Sequence, residues 1–236
     1  MDGNARTHVR IVFVRHGHPN YQEDRLTDLG RLQAEAAAIR VRNEGISRVF
    51  SSQMCRAVET ARHIAAPLGL EVEQLEFMRE LRWGSVDDEP LFQNGQPWFT
   101  VDDMVEKGQS LVSANWETEA PFRRSKVVAS AREKGLEFDR LLLGFGLERE
   151  GEFYRVRETQ ERTFAMVSHA GASGAVLAHL FNLPFPLVCK TMSPNFTAVT
   201  VVRFEGQQDG LVSPKIELLN DARHIEGISG EVFFGN

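Results

Sequence analysis

Two apolar runs of similar length each end in a histidine. Val9-Arg10-Ile11-Val12-Phe13-Val14 leads into Arg15-His16-Gly17, and Arg162-Thr163-Phe164-Ala165-Met166-Val167 leads into Ser168-His169-Ala170-Gly171. Both runs are short and rich in β-branched or aromatic residues, the pattern of buried strands. Between them, Thr27 is a candidate N-cap for a helix running from Arg31 to Asn43, and Gly45 is a suitable stop. Ile46 to Phe50 predicts a second strand, Gln53 to Ala66 a second helix closed by Pro67 and Gly69, and Leu70 to Phe77 a third strand. From Trp83 to Glu158 the periodicity loosens, with short helical stretches at Val101–Lys107 and Val127–Lys134. Regular patterning resumes at Thr163, with a helix from Ala172 to Phe181 and strands at Phe196–Phe204 and Pro214–Leu219.

This alternation predicts a three-layer α/β/α sandwich on a mostly parallel sheet. It is read as a single domain over residues 1–236, with a mainly helical insertion over about 84–160 forming a cap or specificity region. At 236 residues, 42% hydrophobic and 25% charged, the chain can bury a large core without crosslinks. The net charge of -6 argues against general nucleic-acid binding. Cys55 and Cys189 form no disulfide framework, residues 1–10 are polar, and no apolar run reaches the roughly 20 residues of a membrane span. The expectation is a cytoplasmic protein with no membrane partner. Its oligomeric state is not legible.

In open α/β sheets, ligands bind beyond the carboxyl ends of the strands. Three predicted strand ends carry polar chemistry: Arg15-His16-Gly17, Ser51-Ser52 followed by Arg56, and Ser168-His169 followed by a helix. Two arginines, two histidines and a helix N-terminus at one sheet edge describe a pocket for a dianion, because arginine forks match phosphate oxygens and helix N-termini favour anions. A neutral imidazole is a competent phosphoryl acceptor. Phosphoryl transfer depends on positioning and charge neutralisation, which fixed cations supply. No metal-binding spacing and no complete dinucleotide fingerprint occur, so no metal and no cofactor are expected.

The order and spacing of these motifs resemble the histidine phosphatase superfamily, the phosphoglycerate-mutase-like family. The resemblance is carried by Arg15-His16-Gly17, Leu26-Thr27-Asp28-Leu29-Gly30 with Gln33-Ala34, Ser51-Ser52 with Arg56-Ala57 and Thr60-Ala61, Arg79-Glu80-Leu81 with Gly84, and Ser168-His169-Ala170-Gly171. It implies a phosphatase that hydrolyses a small-molecule phosphate monoester, without a metal, through a phosphohistidine on His16. Arg15, Arg56 and His169 would hold the phosphoryl oxygens, with Ala170 at the helix start, and Glu80 would be the proton donor. Asp87, Asp88 and Glu89 compete for that last role. The chain departs from the family after His16, where Asn20 or Gln22 is expected to supply the replacement phosphate contact, with Asn20 the candidate, and after Gly84, where Ser85-Val86-Asp87-Asp88 stand. A phosphoglycerate mutase-type transfer and a non-catalytic anion-binding member are the alternatives.

Other residues admit simpler readings. Cys55 is expected to be a small buried residue at a helix start. Arg123 and Arg124 form a basic cluster that is either a solvated helix end or a grip on a multiply anionic substrate. Trp83, Trp98, Phe99, Trp116 and Phe122 either line a leaving-group pocket or form the insertion's own core.

Overall fold

The computed structural model describes residues 6–229. Residues 1–5, half of the polar stretch read above as lacking a targeting signal, and residues 230–236 lie outside the described residues. The central sheet is built from β1 (Arg6–Arg15), β2 (Ile46–Ser52), β3 (Val72–Leu75), β4 (Glu161–Ser168), β5 (Val199–Gln207) and β6 (Lys215–Asp221), in the order β6-β5-β1-β4-β2-β3. β1, β4, β2 and β3 are parallel neighbours, and β5 runs antiparallel to both β1 and β6.

Six principal helices flank the sheet: α1 (Asp28–Val41), α2 (Cys55–Ala65), α3 (Pro97–Glu106), α4 (Lys126–Leu143), α5 (Ala170–Phe181) and α6 (Phe185–Thr191). Successive side chains of a strand point to opposite faces, so both faces of β1 bury apolar groups. Val12 and Val14 join Ala38 and Val41 of α1 and Ala61 and Ile64 of α2 in one core. Ile11 and Phe13 join Phe138 and Leu142 of α4 and Val176 and Leu180 of α5 in the other. The chain therefore folds as the expected three-layer sandwich. α5 lies deepest and is buried along nearly its whole length, as its continuous apolar sequence requires.

Local signals set several boundaries. Thr27 caps α1, its hydroxyl oxygen accepting from the Gly30 N–H at 3.1 Å. β3 ends at Leu75 rather than Phe77 because Glu76–Met78 turn into a 3₁₀ helix. Ser125 caps α4, one continuous helix of 18 residues where only Val127–Lys134 was expected. The region after α4 is not helical: Leu147–Glu150 and Phe153–Val156 form an antiparallel hairpin, extended by Leu211–Val212. α6 was also unexpected; Pro186 stands in its first turn, where a missing N–H is tolerated. Cys55 is exposed, contrary to expectation, because the first turn of α2 faces a loop and its N–H donates to Asp24 Oδ2 at 2.8 Å. Among the described residues, no helix is long and apolar enough to cross a membrane.

The sheet register positions the site. Arg15 pairs with Ser168 across β1 and β4, and Ser51 pairs with Val167 across β2 and β4. Three carboxyl ends are thus level, and the residues that follow them emerge side by side.

Candidate active site

His16 directly follows β1 and is 2% exposed; His169 directly follows β4 and is fully buried. Their rings meet edge to face with centroids 5.1 Å apart. The His16 backbone N–H donates to Ser168 O at 2.9 Å, which ties the two strand ends together. Beyond His16 the backbone packs against the start of α1. A Cβ on Gly17 would overlap the carbonyl of Gly30, and one on Gly30 would overlap that of His18, so only glycine fits at either position.

The protonation of both imidazoles follows from their partners. His16 Nδ1 lies 2.7 Å from Gly17 O, a pure acceptor, so Nδ1 carries the proton. His16 Nε2 accepts from Arg56 Nε at 3.3 Å and holds the lone pair. Arg56 Nη2 donates to His169 Nδ1 at 3.2 Å, which leaves the His169 proton on Nε2, where it donates to Ser52 Oγ at 2.8 Å. Burial, reinforced by the positive charges of Arg15 and Arg56, holds the pKa of His16 well below the usual histidine value. Burial, His16 and Arg56 act in the same direction on His169. Both rings are therefore neutral at physiological pH.

The arginines come from different elements. Arg15, the last residue of β1, donates from Nη1 to Pro194 O at 2.8 Å, and its guanidinium lies 4.1 Å from the centroid of the Phe196 ring. Arg56, in the first turn of α2, is ion-paired with Asp24 and lies over the Tyr21 ring. Each is 5% exposed. Thr60, one turn along α2, accepts from the Gly17 N–H at 3.1 Å and holds the loop after His16.

Glu80 sits at the N-terminus of α5. Its carboxylate accepts from Leu81 N at 2.8 Å, Ala172 N at 2.9 Å and Gly171 N at 3.3 Å. Two of the helix N–H groups expected to face an anion are thus taken by this side chain, and Ala170's amide is not among them. Asn20 does not line the cavity. Its side-chain oxygen accepts from the N–H groups of Gln22 and Glu23, shaping a turn that brings Tyr21 to the cavity instead.

A cavity of about 610 Å³ opens in front of His16, with Arg15, Arg56 and Glu80 also on its wall. Trp83 and Trp98 line its far side, whereas Trp116 and Phe122 pack with Phe185 away from it. Arg124 donates to both carboxylate oxygens of Asp87 at 2.7 and 2.9 Å, and Arg123 is exposed; neither lines the cavity. Asp87, held well below the usual carboxylate range by Arg124 and then by Ser85, is committed to that pair. Asp88 and Glu89 are exposed and also stand outside the cavity wall.

The sequence reading assigned no role to Asp24, Tyr21 or Lys134, and placed Arg79 only in the Arg79-Glu80-Leu81 motif without a role. Lys134 is buried 4% exposed, donates to Phe77 O at 2.8 Å, and lines a second cavity that shares Arg79, Glu80 and Arg82 with the first. Burial lowers its pKa to about 8. A lysine at a core-facing position of a long helix was its available signal; Asp24 lay in a polar loop with none.

Residues 11–107 match the model of the histidine phosphatase superfamily (branch 1). A probable phosphoglycerate mutase GpmB of Yersinia pestis (strain Pestoides F) is 34% identical over 92 residues, which cover 35% of this chain and 43% of that relative. The chain thus aligns with less than half the length of the curated relatives it matches. Among solved structures, a phosphoserine phosphatase from Entamoeba histolytica superposes with a TM-score of 0.62 at 18% identity, covering 92% of this chain and 99% of the other. A mycobacterial glucosyl-3-phosphoglycerate phosphatase superposes with a TM-score of 0.62 at 24% identity, covering 89% and 98%. These likenesses extend the fold over nearly the whole chain. The match to the histidine phosphatase superfamily model thus covers the part of the chain that carries His16, Arg56 and Glu80, and the fold shared with these solved structures covers nearly all of it.

Proposed function

We propose that the protein is a phosphatase that hydrolyses a phosphate monoester through a phosphohistidine on His16, without a metal ion. The observation that carries this reading is the unprotonated Nε2 of His16, fixed by the Nδ1–H bond to Gly17 O and faced by Arg56. A phosphate dianion entering the cavity draws the Arg56 guanidinium onto its oxygens and leaves the Nε2 lone pair free to attack. Arg15 completes the cradle, His169 accepts from Arg56 and donates to Ser52 and so positions that guanidinium, and the Ala170 amide stands at the start of α5.

The chemistry has two steps. Nε2 bonds to phosphorus as the P–O ester bond breaks, and the bonding pair stays on the leaving oxygen, which takes a proton from the Glu80 carboxyl. Water then attacks phosphorus and gives a proton to the Glu80 carboxylate; the P–N bond breaks, its electrons return to Nε2, and inorganic phosphate leaves. The Nδ1–H···O=C bond keeps the ring oriented through both steps. The charge that develops on the transferred group is met by fixed arginines.

A mutase-type transfer is the second reading, favoured by the names of the curated relatives. The two predict different products from the same phosphoenzyme. The test is hydrolysis of benzyl phosphate in the presence of a chelator, with phosphate release compared between the wild type and His16→Ala, alongside interconversion of 2- and 3-phosphoglycerate. Chelator-resistant release that is lost in the variant supports the phosphatase. Primer-dependent interconversion without comparable release supports the mutase, and release that survives in His16→Ala overturns both.

A further inference from the structure

The far wall of the cavity bears on the alcohol half of the substrate, an argument that rests on the phosphatase reading above. A phosphoryl group fills the space of a few water molecules at about 30 Å³ each, a small part of the 610 Å³ present. Apart from the neutral polar Gln96, the remaining wall divides into two kinds of surface. Tyr21, Met54, Leu81, Trp83 and Trp98 are apolar or aromatic, and the two indoles meet edge to face with centroids 5.7 Å apart. Arg79 and Arg82 are cationic.

Charge on this wall is one-sided. Glu80 is the sole acidic residue among the lining residues, and its carboxylate is bound to backbone amides. Each other lining arginine already has a partner: Arg15 the Pro194 carbonyl, Arg56 the Asp24 carboxylate, and Arg82 Glu133 at 2.6 Å. Arg79 makes no side-chain hydrogen bond or ion pair among the described residues, and it stands where this cavity meets the neighbouring one of about 580 Å³. An arginine fork facing a cavity is suited to a planar carboxylate or a second phosphate. Indole surfaces, meanwhile, bind flat apolar groups.

We propose that the substrate is a phosphate monoester whose alcohol carries an aromatic body, bound against Trp83 and Trp98, and a second anionic group bound by Arg79. In this arrangement specificity comes from residues 79–83 around Glu80 and from the start of α3. The basic pair Arg123-Arg124, which lies off the cavity, has no part in it.

Three esters of similar alcohols separate the contributions: 4-carboxybenzyl, benzyl and cyclohexylmethyl phosphate. Their dissociation constants are measured on the His16→Ala protein by calorimetry, and kcat/KM on the wild type. The expected result is 4-carboxybenzyl bound at least tenfold tighter than benzyl, and benzyl at least fivefold tighter than cyclohexylmethyl. Introducing Arg79→Gln collapses the first ratio to within twofold, Arg79→Lys restores part of it, and Trp98→Leu collapses the second. Equal binding of the three esters overturns the proposal, as does a carboxylate preference that persists in Arg79→Gln. The predicted binding order without His16-dependent turnover keeps the ligand class and overturns the phosphatase reading instead. Turnover without the binding order does the reverse.

Discussion

Arg56 places its Nε 3.3 Å from Nε2 of His16, so a cation stands where the proposed phosphohistidine would carry its phosphoryl group. The same guanidinium reaches His169 Nδ1 at 3.2 Å and is anchored from the far side by Asp24. One planar group thus links both imidazoles to an outer-loop carboxylate. Replacement by lysine keeps the charge but loses the fork. Arg56→Lys is expected to lower kcat/KM by about a hundredfold, the scale of losing a preorganised donor. Asp24→Asn, which leaves the guanidinium in place but less firmly held, is expected to cost about tenfold, mainly in KM. Steady-state kinetics on one ester checks both, and an Asp24→Asn protein with unchanged KM would remove the anchor from the account.

The buried histidines make stability depend on pH. Both have folded pKa values below the ordinary 6.5, so in the window beneath 6.5 the unfolded chain binds more protons than the folded one. Their neutral state contributes stability above 6.5, and that contribution is lost as pH falls toward the folded values. Each group contributes a slope of about 1.4 kcal/mol per pH unit in that window. Burial lowers His18 and His224 in the same direction. Denaturant midpoints measured from pH 7.5 down to 5 should fall steadily, and His169→Gln should fall less steeply than the wild type.

Gly171 tests the placement of Glu80. A Cβ there would lie 2.7 Å from Glu80 Oε1 and 2.8 Å from Leu81 Cδ1, so the carboxylate must move while the backbone need not. Alanine is preferred to glycine in a helix by up to about 1 kcal/mol. Gly171→Ala should therefore keep its melting temperature within a few degrees yet lose about a hundredfold in kcat, the scale of a displaced proton donor. The loss should be larger for alkyl esters, whose leaving oxygen needs the proton, than for nitrophenyl esters.

Gly30 gives the opposite balance. A methyl group there meets the backbone of His18 rather than a movable side chain. Gly30→Ala should cost about 2–3 kcal/mol of stability by overpacking, read as a lower denaturant midpoint. Activity should fall in parallel, because the loop held by this contact begins at His16.

Much of this was legible from the chain alone, and the reason is local. Strand ends, the Thr27 cap and the glycines at 17 and 30 are written in neighbouring residues, so β1, α1 and the placement of His16 and His169 follow from short windows. Relationships across distance were not legible. Nothing near Asp24 marks it as the partner of Arg56, 32 positions away, and nothing near Asn20 shows that its carboxamide turns inward on the loop while Tyr21 takes the cavity wall. The hairpin at Leu147–Val156 was hidden because its strands, Leu-Glu-Arg-Glu and Phe-Tyr-Arg-Val, are short and rich in charge. Cys55 misled because burial was inferred from residue type, although the start of α2 faces a loop.

The pairing of Arg15 with Ser168 also bears on how the molecule loses its function. The two imidazoles are carried by adjacent strands at the centre of the sheet, and central strands open only with the whole domain. The wall bearing Arg79, Trp83 and Trp98 lies outside that ladder, in turns and the short helix α3. The two imidazoles and the proposed specificity wall are therefore carried by different elements, while Trp83 and Trp98 pack against the same core as β1 and β4. Sequence change at Trp83 or Trp98 would then redirect the proposed specificity while leaving the strand ends that carry His16 and His169 in place, whereas change next to Glu80 would reach the proposed acid as well.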